Sequence, residues 1–233
     1  MTDQVSTIQT ADGYGYAVSQ EQRNRVMRNT YWLLALSLLP TVLGAWVGVA
    51  TGITQSLRGG MGLIVFLGGA FGFMYAIEKT KNSAAGVPVL LAFTFFMGLM
   101  LSRMIGSVLG FKNGTELIML AFAGTAGVFF TMASLATVIK RDLSSMGKWL
   151  MVGAIVLMVG GIINVFVGSS TGMVVIAMLA IGIFSAYMLY DLKRIVDGGE
   201  TNYISATLAL YLDIFNVFQS LLALLGIFGG ERD

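Results

Sequence analysis

Residues 206–228, ATLALYLDIFNVFQSLLALLGIF, decide the fold, because this segment is long and apolar enough to cross a bilayer yet carries a carboxylate. A spanning helix needs about 20 predominantly apolar residues. Asp213, Asn216 and Ser220 stand at positions i, i+3 and i+7, on one face of the predicted helix. A helix with such a polar stripe is poorly suited to face lipid on every side, so we expect it to pack inside a bundle of other helices.

The composition of the whole chain indicates a membrane protein. Of its 233 residues 56% are hydrophobic and only 11% are charged, whereas soluble domains have about 25% charged residues. Cysteine and histidine are absent, which excludes disulfides, thiolate metal sites, histidine triads and histidine pH switches. The net charge of +2 gives no reason to expect a nucleic acid partner. We predict no cofactor and no tightly bound metal.

Six further apolar segments precede the last one, so the sequence predicts an all-α membrane protein with seven transmembrane helices. Residues 1–24 are predicted to form a flexible cytoplasmic tail, and residues 25–233 the transmembrane domain. The seven predicted spans are residues 31–51, 61–78, 88–109, 117–139, 149–168, 173–191 and 206–228, and the sixth helix could continue to about Val196.

The basic residues predict the orientation. With the N-terminus inside, ten Lys and Arg residues fall in cytoplasmic segments and three in outer segments. Cytoplasmic loops carry the excess of Lys and Arg in membrane proteins. We therefore predict a cytoplasmic N-terminus and an external C-terminus.

Glycine spacing predicts where helices approach each other. Small residues four positions apart let helix backbones come close where lipid supplies no hydrophobic drive for association. Each such pair is either a helix contact or a consequence of the high glycine content. The candidates are Gly44 with Gly48, Gly68 with Gly72, and Ala123 with Gly127.

Two aspartates are the candidate functional groups. Asp213 lies about seven residues into the last predicted span, or ~10 Å at 1.5 Å per residue, which is too deep for its short side chain to reach water. Asp191 stands at the cytoplasmic end of the sixth span. Each has a structural alternative: Asp213 as a protonated packing residue, and Asp191 as a solvated boundary residue paired with Lys193 or Arg194. If the two carboxyl groups meet in a low dielectric, they cannot both ionise cheaply and must share a proton.

Arg103 is the charged residue within the third predicted span. It lies about six residues, or ~9 Å, from the outer end of that span. Its long side chain could reach the interface by snorkelling, or it could face inward as a counter-charge. Lys193 and Arg194 are the other candidate counter-charges.

Four stretches of the chain, from about residue 24 onward, resemble the Bax inhibitor-1 family, also called the transmembrane Bax inhibitor motif family. They are Arg28-Asn29-Thr30-Tyr31, Tyr190-Asp191-Leu192, Gly198-Gly199-Glu200-Thr201-Asn202-Tyr203-Ile204 and Leu210-Tyr211-Leu212-Asp213-Ile214-Phe215-Asn216. The resemblance is closest to bacterial members of the cell inner (cytoplasmic) membrane. The C-terminal block is its most specific part.

The resemblance implies six helices around a central seventh, and a pH-sensitive calcium leak with Ca²⁺ and H⁺ as permeant or regulatory ions. It also implies a proton-controlled latch, which by motif falls on Asp191 and Asp213, where Ca²⁺ would bind only transiently. Asn216 and Ser220 would extend this polar stripe. Some members use an arginine from the second span in the latch. This chain has no arginine there, a departure from the family pattern.

Two other functions remain as alternatives. Some bacterial relatives are linked to the membrane-anchored ATP-dependent protease FtsH as substrates or modulators, and the polar N-terminal segment would suit that role. An intramembrane aspartyl protease is disfavoured, because its Gly-x-Gly-Asp signature is replaced here by Leu210-Tyr211-Leu212-Asp213. We therefore do not expect an enzyme.

Overall fold

The computed structural model describes residues 7–10, 13–16, 19–57 and 59–231. Seven helices follow one another along this part of the chain, and all seven are long and apolar enough to cross a membrane, which confirms the predicted fold class. Their bounds are α1 Gln20–Thr51, α2 Gly59–Thr80, α3 Gly86–Leu109, α4 Gly114–Val138, α5 Met146–Val167, α6 Ser170–Val196 and α7 Tyr203–Gly229.

The described residues before the first spanning helix include two short strands. Strands β1 (Thr7–Thr10) and β2 (Gly13–Tyr16) pair antiparallel, with Thr7 opposite Tyr16. Helix α1 begins at Gln20, within the segment predicted as tail, because the Ser19 side chain accepts a hydrogen bond from the Gln22 N–H and caps the helix. The rest of the predicted tail, residues 1–6, 11–12 and 17–18, lies outside the described residues.

Glycine ends two of the helices. Gly52 follows α1 with φ of 65° and Gly168 follows α5 with φ of 67°, a left-handed conformation that favours glycine. Ser169 then caps the start of α6 by accepting from the Gly172 N–H. The sixth helix continues to Val196, past the end of its predicted span.

Helix α7 has the largest buried share of the seven spans, and α5 has the smallest. In the described chain α7 packs against α1, α2, α3, α4 and α6, while α5 packs on α6 and α2 without contacting α7. The main hydrophobic core lies between α1, α3, α6 and α7 and includes Phe93, Met188 and Leu210. A complete ring of six helices around the seventh stays a prediction.

Candidate functional site

The candidate site lies where α6 and α7 pack against each other near their short connection. Helix α6 ends at Val196, and Gly198 turns the chain with φ of 82°. Asn202 then starts α7 by accepting hydrogen bonds from the Ile204 and Ser205 N–H groups. This tight return makes α6 and α7 antiparallel neighbours, which places Asp191 and Asp213 at a similar depth.

The Asp191 and Asp213 side chains, hereafter the aspartate pair, lie within hydrogen-bonding reach of each other. A carboxylate only accepts, so a hydrogen bond between two carboxyl groups requires a proton on one of them. Asp213 is 4% exposed, and its Oδ2 has no partner within the described residues. Asp191 is partly buried. The contact is therefore compatible with one shared proton and at most one negative charge.

Charged groups surround the pair unevenly. Arg194 and Glu200 both act electrostatically on Asp191, and they form an ion pair with each other at 3.3 Å. The Tyr187 ring, one helical turn before Asp191, lies close enough to interact with both aspartates. Asp191 is the charged neighbour of Asp213, whereas Arg194 acts on Asp191, so the positive charge at the site lies on the Asp191 side.

Lys193 is not a partner of the pair. It is 8% exposed and forms an ion pair with Asp197 one turn later on α6. Arg194 is thus the one predicted counter-charge that the structure places beside Asp191. Within the described residues no three or more Asp, Glu, His or Cys side chains cluster as a metal site would require.

Asn216 and Ser220 lie on the same helix as Asp213 but do not bond to the pair. The Asn216 amide donates to the Leu212 carbonyl of its own helix at 2.8 Å. Ser220 is buried at 9% exposure. In the described chain no hydrogen bond joins either residue to an aspartate. Asn216 and Ser220 therefore make this face of α7 polar without contacting the aspartate pair through a hydrogen bond.

Arg103 lies at the opposite end of the bundle, away from the aspartate pair. Its side chain is exposed, and its guanidinium Nη1 donates to the Leu57 carbonyl in the loop after α1. The sequence left two placements open for the Arg103 side chain, at the membrane interface or facing inward. The structure places it near the end of α3, bonded to the loop after α1. The interpretation of Arg103 as an inward counter-charge to the pair is wrong.

Sequence reasoning missed a second polar contact of α7, which we call the hydroxyl seam: Tyr211, Thr41 and Thr94. The Tyr211 and Thr41 hydroxyls are 2.9 Å apart, and the Thr41 hydroxyl donates to the Ser37 carbonyl. Tyr211 is therefore the donor to Thr41. Its hydroxyl also lies 3.4 Å from the Thr94 carbonyl. The seam joins α7 to α1 and α3 on the side away from the aspartates.

A sequence signal for the seam existed in the spacing of hydroxyl residues. Thr30, Ser37 and Thr41 recur on one face of α1, and Thr207 and Tyr211 are one turn apart on α7. Thr207 lies next to α1, with its hydroxyl 3.4 Å from the Thr30 carbonyl. Hydroxyl residues are common in spans, however, and their spacing alone does not indicate which helix they face.

Comparison with known proteins gives a consistent assignment. The family described as "Inhibitor of apoptosis-promoting Bax1" matches residues 23–230. A relative from Escherichia coli K12, named "Modulator of FtsH protease YccA", is 36% identical over 87% of this chain and 90% of its own length. The E. coli O6:H1 relative, with the same identity and coverage, is named "Inner membrane protein YccA".

A third relative, an "Uncharacterized membrane protein" of Vibrio cholerae, is 35% identical over 88% of this chain and 91% of its own length. These names describe membrane proteins and a modulator, which points to non-enzymatic proteins. The match spans all seven helices, including both aspartates. The chain therefore belongs to the Bax inhibitor-1 family and is a multi-pass protein of the cell inner membrane.

Proposed function

We propose that this protein is a pH-sensitive cation leak, conducting Ca²⁺, with the aspartate pair as its proton-controlled latch. The observation that carries the proposal is the close approach of the Asp191 and Asp213 carboxyl groups across the α6–α7 contact. Intramembrane carboxylates are costly and usually functional. Two of them in contact, on helices joined by a short turn, form an element that can respond to a proton.

The physical basis of the latch is the charge of the pair. With one proton the carboxyl groups attract each other and hold α6 against α7. Loss of that proton leaves two negative charges in contact, which repel strongly in a low dielectric. Separated carboxylates would then offer oxygen ligands, which Ca²⁺ prefers. Two acids are too few for a high-affinity calcium site, which suits a permeant ion that must leave again.

The orientation proposed for this function has the N-terminus in the cytoplasm and the C-terminus outside. The excess of basic residues on the N-terminal side supports it. The aspartate pair then lies in the cytoplasmic half of the membrane. Protonation of the latch would follow cytoplasmic pH, with Arg194 and Glu200 as the charged residues nearest to that side.

A liposome experiment tests the latch. The full chain is reconstituted in vesicles with Ca²⁺ outside and a calcium dye inside, and influx is measured between pH 6 and pH 8. We expect influx to increase with pH in the wild type. The Asp213→Asn variant keeps a hydrogen bond to Asp191 through its amide, cannot acquire the second charge, and should stay closed across this range.

Asp142→Asn is the matched control for this experiment. Asp142 is an exposed aspartate in the loop between α4 and α5, bonded to Ser144 and not to the pair. Its variant should retain the pH response of the wild type. Absence of Ca²⁺ influx at every pH, or an unchanged response in Asp213→Asn, would contradict the proposal.

A second candidate function is modulation of an FtsH-type membrane protease. It is favoured by the name of the E. coli K12 relative, a modulator of FtsH protease that is 36% identical to this chain. Such a role rests on binding, and it does not require the aspartate pair to titrate. The segment before the Ser19 cap is the candidate handle, since it precedes the first spanning helix.

A truncation tests the second function. The full chain and a variant lacking residues 1–18, which keeps the Ser19 cap, are expressed with FtsH, and turnover of a separate membrane substrate is followed. The full chain should co-purify with FtsH and slow that turnover, and the truncated chain should do so less. Asp213→Asn should behave as the full chain. No complex after cross-linking, together with unchanged turnover, would exclude this function.

A further inference from the structure

A polar groove lies at the end of the bundle opposite to the aspartate pair, between the C-terminal parts of α1 and α3 and the loop that follows α1. Its volume is about 550 Å³. Apart from Val49 and two glycines, the described side chains that line it are polar, and among the described residues of the groove Arg103 is the only charged one. We call this the Arg103 groove. Neither proposed function uses it.

The Arg103 guanidinium is held at one edge of this groove. Its Nη1 donates to the Leu57 carbonyl, and the start of α2 packs closely on that bond. A Cβ on Gly62 would come 2.4 Å from the Leu57 oxygen and 3.6 Å from Arg103 Nη1. One of the five guanidinium N–H donors is thus used in the fold, and the orientation of the others is fixed by it.

Within the described residues no anion balances this cation. Within residues 19–57 and 59–231, Arg103 forms no ion pair, and no acidic residue lines the groove. Arg103 lies six residues before Leu109, the end of α3, or ~9 Å along the helix. A cation at that depth is near the level of lipid headgroups, where a long arginine side chain reaches the interface.

The surface below Arg103 is polar and open. The Thr54 and Ser102 hydroxyls are 2.7 Å apart and buried, at 3% and 2% exposure. Ser102 donates to the Leu99 carbonyl, so Thr54 donates to Ser102 and both protons are used. Gly106, one turn after Ser102, has no atom within 4 Å of a Cβ position. A bulky polar group can therefore approach Arg103 without displacing a side chain.

We propose that the Arg103 groove binds the phosphate group of a phospholipid, with the free edge of the guanidinium donating to its oxygens. The planar guanidinium matches phosphate geometry and forms charge-assisted hydrogen bonds. Exposed large apolar side chains close in sequence to the groove residues favour a lipid over free phosphate, because they offer acyl chains an apolar surface: Trp46 is 67% exposed, and Ile53 is 64% exposed.

Native mass spectrometry of the delipidated full chain tests this site. The probes are phosphatidylglycerol, phosphatidylcholine and inorganic phosphate, added separately. We expect one saturable lipid adduct in the wild type. Arg103→Gln should weaken its binding at least about tenfold, the effect of losing a hydrogen bond to a charged group. Arg103→Lys, which keeps the charge without the planar fork, should bind with intermediate affinity.

Two variants separate a site from general charge attraction. Arg25→Gln removes one exposed positive charge at the N-terminal end of α1 and should leave the adduct unchanged. Gly106→Leu fills the groove with no change of charge, and the open space there lets the fold persist, so the adduct should be lost. Equal effects of Arg25→Gln and Arg103→Gln, or an unaffected adduct in Gly106→Leu, would overturn the proposal. Occupancy by inorganic phosphate with no lipid adduct would overturn the assignment to a lipid.

Discussion

The hydroxyl seam and the aspartate pair, on two faces of α7, differ in how completely their own polar groups are satisfied. On one face the hydroxyl seam ties Tyr211 to α1, and the Tyr211 side chain is 1% exposed. On the other face Asp213 meets Asp191, but its Oδ2 has no partner within the described residues. Buried polar groups that have hydrogen-bond partners stabilise one packing of α7 against its neighbours. A buried carboxylate oxygen without a partner does not, so a second packing on that face is less disfavoured. The seam is the fixed side of α7, and the aspartate pair is the responsive side.

The contact between α1 and α3 strengthens this contrast. A Cβ on Gly98 would come 2.0 Å from the Thr41 carbonyl oxygen, and one on Gly44 would come 2.2 Å from the Phe95 carbonyl oxygen. The two backbones therefore touch beside the seam and leave no space for water or an ion between them. A conducting route of the kind proposed would have to avoid this interface.

The largest effect is expected from a change on the fixed side. Gly98→Ala places a methyl group against the α1 backbone, which cannot yield without separating the helices. We expect a loss of stability of about 1–3 kcal/mol, as for other overpacked sites. Size-exclusion chromatography after heating in detergent measures it. Gly72→Ala on α2, where a Cβ meets nothing within 4 Å, is the control and should not destabilise the protein.

The second prediction concerns pH and the responsive side. Opening of the α6–α7 contact releases one proton. The free energy of opening should therefore fall as pH rises, by at most about 1.4 kcal/mol per pH unit. Hydrogen exchange at pH 6 and pH 8, corrected for intrinsic rates, should show faster exchange around residues 197–202 at the higher pH. Exchange across α1 and α3 should not change. An equal change on both sides of α7 would contradict the comparison.

Removal of the Tyr211 hydroxyl tests the seam with a smaller effect. Tyr211→Phe keeps the ring packing against Phe93, whose ring centroid is 6.0 Å away, and removes one donor. Thr41 keeps its bond to the Ser37 carbonyl, so no new donor is left unsatisfied. We expect destabilisation of about 0.5–1.5 kcal/mol with the pH response of calcium influx retained. Tyr75→Phe, at an exposed tyrosine of α2, is the matched control and should be neutral.

The helices were predictable because hydropathy reports directly on span length. The aspartate contact was also accessible, since both carboxylates fall near one end of consecutive antiparallel helices. The glycine spacing was less informative: Gly44 and Gly48 are in close contact with α3, whereas Gly68, Gly72 and Gly127 have no atom near a Cβ position. Small residues permit a close approach, but the identity of the facing helix depends on the whole bundle. For the same reason the sequence does not predict which helix Tyr211 contacts or where the Arg103 side chain lies.

The smallest expected effect lies at Asp142, an exposed carboxylate outside the spans that serves as the solvated counterpart of the aspartate pair. Hydrogen bonds from the Ser144 backbone N–H, at 2.8 Å, and from the Ser144 hydroxyl, at 2.9 Å, lower the pKa of Asp142 below its usual value. A lowered pKa means that this stabilisation is present above the ordinary aspartate pKa and is lost as pH falls through the folded value.

Carbon-13 NMR titration of the carboxyl group in Ser144→Ala should show the Asp142 pKa rising toward that usual value, because the hydroxyl bond is gone while the backbone bond remains. Since Asp142 is ionised throughout pH 6 to 8 in both proteins, calcium influx in Ser144→Ala should keep the wild-type pH response; a shifted response would mean that the α4–α5 loop, and not the aspartate pair alone, controls the latch.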